Sequence, residues 1–316
     1  MTAWWIRPGV RLIAAIILPL VVPAIITLLI WALPGDPAEI ICPPETCGGT
    51  AELAARWNLD AGAWNFFRAW MGDAAAGEFG RSWRVEQGLP VRDLLDESIP
   101  TTLMLVLAAL VPLVLGAVGS ATGLIPPRAD GGFHTVGLVP AVVFALLGAA
   151  YVELEYGAQS FLPGANRLRL VLGALVLGLA DGAFAAAVSG VRGLFAAERD
   201  QRYVGIALLR GERPLANMLP NVAPALAGQL RARVLHLLSG TVVVEVVLRI
   251  NGLGDLLWAG TLLQDFGVVL AAATAFALVS AVLLVIQALV EIAVAMWVRR
   301  APTVRDGAAA SPVVAA

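Results

Sequence analysis

Apolar positions in this chain fall into long blocks. Six blocks stand out: 9–33, interrupted only by Arg11; 101–125, with no charge at all; 134–150; 170–191, carrying Asp181; 222–248, carrying Arg231, Arg233, His236 and Glu245; and 266–298, with Glu291 near its end. A membrane-spanning helix needs about 20 mostly apolar residues. The third block is somewhat short for this, and the sixth is long enough to tilt or to extend past the bilayer. The first is too long, and lacks the small-residue cleavage site, to be a removable signal peptide. The pattern predicts an all-α polytopic membrane protein with about six transmembrane helices and both termini on one side.

Between the first two blocks lies a polar segment, 34–100. Within it, AELAARWNLD (51–60) and AWNFFRAW (63–70) repeat apolar residues at spacings of three and four, the period of an amphipathic helix. A small helical cap is expected there. The chain divides into an N-terminal span (1–33), this helical loop (34–100), a core of five spans (101–298) and a tail (299–316).

Composition agrees with the pattern. Hydrophobic residues make up 59% and charged residues 14%, against roughly 45–50% and 25% in a soluble domain, and mean hydropathy is +0.83. The 21 basic residues are all arginine, and no basic run suggests nucleic acid. With the N-terminus inside, the inner segments (1–8, 126–133, 192–221, 299–316) hold 10 Arg in 64 residues. The outer segments (34–100, 151–169, 249–265) hold 8 in 103. The bias points to cytoplasmic N- and C-termini. Trp4, Trp5, Trp31, Trp258 and Trp297 fall near the expected interfaces, where indole rings anchor.

Little in the sequence suggests chemistry. No Gly-Lys-Ser/Thr phosphate loop is present, and His134 and His236 are remote from both cysteines. Neither an enzyme nor a bound cofactor is expected. Cys42 and Cys47, in ICPPETCGG, leave three readings open: a small disulfide in an oxidising compartment, a free pair, or a metal site short of ligands.

Charges inside the spans are costly and ask for a reason. Glu245, with Gly240 nearby, either lines a polar path through the membrane or its gate, or pairs with a neighbouring helix or second subunit. Arg231 and Arg233 suit the cytoplasmic interface, where long side chains snorkel. Asp181, beside Gly182 in LADGAFAAAVSG, suits a buried polar tie at a close helix contact.

Several motifs in order resemble one family. LPGDPAE (33–39), WNLDAGAWNFFRAW (57–70), GEFGRSWRVEQGLPVRDLLDESIPTTLML (77–105), FLPG (161–164) and VVVEVVLRINGLGDLL (242–257) are similar to segments of the permease subunits of ABC importers for dipeptides, oligopeptides and nickel. The resemblance implies a second permease subunit, two cytoplasmic ABC ATPases, an extracytoplasmic substrate-binding protein, and location in the inner membrane.

It also implies a cytoplasmic coupling helix between the fourth and fifth spans. RYVGIALLRG (202–211) resembles its first half and MLPNVAP (218–224) its second. Tyr203, Ala207, Arg210, Gly211, Leu219 and Pro220 are the residues this assigns to ATPase coupling. Glycine permits a turn where a Cβ would clash, and prolines are expected to end and restart helices. The chain departs from the family pattern here: about four residues are missing after Gly211, and Pro214 falls where the coupling helix should run. Two other classes stay open, an ion-coupled secondary transporter and a non-transporting scaffold or sensor subunit.

Overall fold

The computed structural model describes residues 5–41, 48–57, 59–159 and 162–300. Among these there are thirteen α-helices and no strand. Helix α1 (Ile6–Ala32) leads to a cap of three short helices: α2 (Pro37–Ile41), α3 (Thr50–Arg56) and α4 (Ala63–Ala75). Then come α5 (Val91–Ala121), α6 (Asp130–Gly137), α7 (Ala141–Tyr156), α8 (Pro163–Leu179), α9 (Ala183–Arg199), α10 (Arg202–Leu209), α11 (Pro214–Leu248), α12 (Leu253–Leu262) and α13 (Phe266–Arg300).

Three helices, α1, α5 and α13, are each long and apolar enough to cross a membrane unbroken. Up to three more spans come as bent pairs: α6 with α7 at 73°, α8 with α9 at 45°, and α11 with α12 at 72°. The expectation of six spans is thus met only if each bent pair counts as one. The block at 134–150 contains a break at Leu138–Pro140, where proline lacks an N–H. The block at 170–191 breaks at Ala180–Gly182, where Asp181 (φ 50°) and Gly182 (φ 70°) both adopt left-handed backbone. Hydropathy averaged over a window does not register such breaks.

The first two breaks lock together. The Ala141 N–H, at the start of α7, donates to Asp181 Oδ1 at 3.0 Å, and the Asp181 N–H donates to the Val139 carbonyl at 3.4 Å. Gly137 and Gly182 touch: a Cβ on Gly137 would lie 2.6 Å from the Gly182 Cα. Asp181 is therefore a polar tie between neighbours, as expected, but an exposed one rather than a buried one.

Helix α1 lies along α13, and Arg11 pairs with Glu291 across that contact. The rest of α1 shows Ile16, Leu28 and Leu29 at its surface, as a helix bathed in lipid can. Helix α5 begins ten residues before the apolar block that marked it, because Val91 and Leu95 are buried beneath the cap. Its far end, through Ala117 and Ala121, packs with α9, α10 and α11. The cap and the α10 region therefore occupy opposite ends of α5.

The cap has its own core of Leu53, Leu59, Phe66 and Trp70, continuous with Phe266, Val268 and Leu270 of α13. Asp265 fastens it. This carboxylate is 1% exposed; Oδ1 caps α13 through the Val268 N–H at 3.4 Å. Oδ2 accepts the Ser82 hydroxyl at 2.7 Å and the N–H groups of Trp83, Arg84 and Val85 at 2.8, 3.0 and 3.3 Å. The Arg84 guanidinium then reaches the carbonyls of Ile40 and Leu263, at 2.6 and 3.1 Å.

Asp265→Ala would leave these buried donors without an acceptor, at a cost of about 2–4 kcal/mol. The expected outcome is a lower midpoint of thermal unfolding in detergent and earlier protease cleavage within 76–90, with cleavage at the α10 end unchanged.

Candidate functional site: the α10 elbow and the Glu245 knot

Helix α10 is amphipathic. Val204 is buried against Val191, Phe195, Met218 and Val222, and Ala207 is buried as well, while Ile206, Leu208 and Leu209 face outward at 50%, 57% and 89% exposure. The helix stops at Gly211, whose φ of 73° suits a residue without a Cβ. The Gly211 N–H donates to the Leu208 carbonyl and the Glu212 N–H to the Ala207 carbonyl, both at 3.0 Å. That pair of bonds is a Schellman stop. Two residues later α11 starts with Pro214 in its first turn, where an N–H would have no helical acceptor.

This arrangement corrects the expected role of the prolines. Pro214 initiates α11 rather than interrupting α10. Pro220 and Pro224 lie inside α11, so MLPNVAP is helix and not a break between helices. The short connection after Gly211 is a tight elbow of two helices.

A groove of about 500 Å³ opens beside the elbow, lined in part by Tyr203, Ala207, Arg210 and Pro220, with Trp297 from α13 on its far side. Four of the six expected coupling residues thus meet at one surface. Gly211 makes the turn, and Leu219, 52% exposed, does not line the groove. Behind the groove, the Tyr203 hydroxyl donates to Glu198, and the Asn221 amide donates to Glu198 Oε1 at 3.1 Å and to Tyr203 Oη at 2.8 Å. Burial, followed by the Glu198 contact, raises the Tyr203 pKa above its ordinary value and keeps the hydroxyl a neutral donor. The network fixes α9, α10 and α11 relative to one another. Glu198 and Asn221 were missed in the sequence, where a lone Glu and a lone Asn near a helix end carry no signal.

Glu245 sits elsewhere, near the end of α11, and is fully buried. Its Oε1 accepts the Thr102 hydroxyl of α5 at 2.7 Å. Its Oε2 accepts the N–H groups of Gly254 and Asp255, in the first turn of α12, at 2.7 and 3.1 Å. Thr102 Oγ1 in turn accepts the Leu253 N–H at 2.7 Å. One carboxylate and one hydroxyl therefore satisfy three of the orphan donors of α12 and meet the positive end of its dipole. The turn between, with Arg249 at φ 54°, returns the chain so closely that a Cβ on Gly252 would lie 2.4 Å from Glu245 Cδ, and one on Gly254 2.7 Å from the Val242 Cα. Gly240 serves packing, since its Cβ would meet Leu177 of α8 at 2.9 Å.

Cys42 and Cys47 lie outside the described residues. No cluster of His, Cys, Asp and Glu able to hold a metal occurs among the described residues. The arrangement contains helix junctions and a short helix with an exposed apolar face.

Residues 133–295, just over half of the chain, match the model of the family described as binding-protein-dependent transport system inner membrane component. The chain belongs to this family. The matched stretch runs from within α6 into α13 and includes the elbow, Glu245 and α12; α1, the cap and α5, with Thr102, lie outside it. No curated protein matches the chain. The protein is an ABC transporter permease subunit, a multi-pass inner-membrane component of an assembly with ATPase partners.

In the permease, Glu245→Ala would strand buried N–H groups of Gly254 and Asp255 as well as the Thr102 hydroxyl, a loss of at least about 3 kcal/mol. Glu245→Gln keeps an acceptor and should lose less. Thermal unfolding of the three proteins in nanodiscs is expected to rank them wild type, Gln, Ala, from most to least stable.

Proposed function

We propose that this permease subunit imports peptides, with its elbow at 203–224 receiving the motion of a cytoplasmic ATPase. The observation that carries this reading is the elbow itself. Ile206, Leu208 and Leu209 form an exposed apolar ridge on a short helix braced behind by buried contacts and by the Tyr203, Glu198 and Asn221 network. A short helix with one face anchored and the other offered to a partner groove is a suitable lever.

In this reading the N- and C-termini are cytoplasmic. A second permease subunit completes the pathway, a substrate-binding protein docks on the cap, and two ATPases drive alternating exposure of the two faces. The peptide class is supported by the cap motifs, GEFGRSWRVEQGLP above all, whose Arg84 and Ser82 hold the cap to α13 through Asp265. Glu245 would act on the pathway by holding the α11–α12 bend beside it, as a positioning residue for the outer gate.

A second reading has one observation in its favour. The bent helix pairs are a feature that ion-coupled secondary transporters also use. Uptake that depends on an ion gradient, and proceeds without ATPase subunits, would favour it.

Two experiments test the proposal. Gly211→Trp places a bulky side chain at a left-handed position and is expected to abolish co-purification of the ATPases while membrane insertion stays normal; unchanged recovery of ATPases would contradict it. After reduction, Cys42 and Cys47 are expected to react with an impermeant thiol reagent in intact cells. Labelling only after lysis would reverse the orientation.

A further inference from the structure

Inside the cap lies a cavity of about 470 Å³, within the size range of small-molecule sites. Five aromatic side chains line it: Trp57, Phe66, Trp70, Phe79 and Trp83. The Trp57 and Trp83 rings meet edge to face with centroids 5.3 Å apart, and Trp70 and Phe79 are 6.3 Å apart at 54°. Much of this aromatic lining is more than a hydrophobic core requires, because Trp57, Phe79 and Trp83 remain only half-buried.

The charged groups among the described lining residues are Asp73, Glu78 and Arg81. Arg81 is already engaged, donating to the Gly88 carbonyl at 2.7 Å. The side chains of Asp73 and Glu78 make no hydrogen bond or ion pair among the described residues. The cavity therefore presents aromatic walls, two carboxylates with no ion pair among the described residues, and one guanidinium that keeps its positive charge, so carboxylates outnumber cations two to one. In addition, Trp70 is 7% exposed, and its indole N–H and that of Trp83 are buried with no partner among the described residues. Buried donors left unpaired call for an explanation.

Aromatic faces attract cations through the ring quadrupole, and cages of this type recognise alkylammonium groups. We propose that the cap cavity binds an organic ammonium group carried by a small solute, with the aromatic rings around the cation and Asp73 and Glu78 opposing its charge. A carbonyl or hydroxyl oxygen on the same solute would find the indole donors after small side-chain shifts.

Occupancy would be felt at α13. The Trp57 ring lies against Gly267, where an added Cβ would sit 3.1 Å from it, and the Trp83 backbone N–H is one of the donors held by Asp265. The site is separate from the elbow, and binding is read on the permease alone, so it stands or falls independently of the import reading.

The test is equilibrium dialysis of radiolabelled choline, and separately of ethanolamine, against the full chain in nanodiscs of zwitterionic lipid at constant ionic strength. Saturable binding of at least one, uncompeted by sodium acetate, is expected. It should weaken at least about tenfold in the double variant Asp73→Asn, Glu78→Gln, whose exposed positions leave thermal unfolding unchanged. Absence of saturable binding by both probes, or equal affinity in the double variant, would overturn the proposal.

Discussion

A helix that bends inside a membrane exposes N–H and C=O groups where lipid offers no hydrogen bond, so each bend must carry its own partners. This constraint accounts for much of the permease's polar interior. At the α11–α12 bend the partners are Glu245 and Thr102, which take up N–H groups of Leu253, Gly254 and Asp255. At the breaks after α6 and α8 the partners are supplied mutually, Asp181 meeting Ala141 and Val139. Asp181 and Glu245, which look anomalous in apolar sequence, are thereby accounted for as completions of backbone structure.

The same device recurs outside the spans and organises the two ends of the molecule. Asp265 gathers the 82–85 segment and starts α13 with one carboxylate. At the opposite end Gly211 closes α10 through its turn, and Pro214 opens α11 without leaving a donor stranded. Because α5 is packed at one end with the cap and at the other with α9, α10 and α11, a displacement of the elbow has a continuous helical route toward the cap.

The sequence made the helical class and the apolar blocks legible, since runs of about 20 apolar residues have few other uses. It also singled out Ala207, Gly211 and Pro220, of which Ala207 and Pro220 line the groove at the elbow that Gly211 turns. The helix breaks were hidden because Asp181-Gly182 and Val139-Pro140 are brief interruptions inside strongly apolar windows. The role of Pro220 and Pro224 was misread because a proline within a long helix and one at a helix start look alike locally. Asp265 and Thr102 carried no sequence signal, as their partners lie 180 to 183 and 143 to 151 residues away. Gly252 and Gly254, seven and nine residues after Glu245, were a usable hint that the backbone passes close to that carboxylate.

The most direct measurement is photo-cross-linking in native membranes from two surface positions of the permease, Leu209 at the elbow and Leu154 at the end of α7, exposed at 89% and 86%. With a photoreactive residue at each, adducts would be identified by mass spectrometry. A nucleotide-binding ATPase captured from 209 and not from 154 is the expected result. Adducts from 209 that contain only lipid, or an ATPase captured equally from both positions, would contradict the elbow as the site through which the ATPase drives the permease.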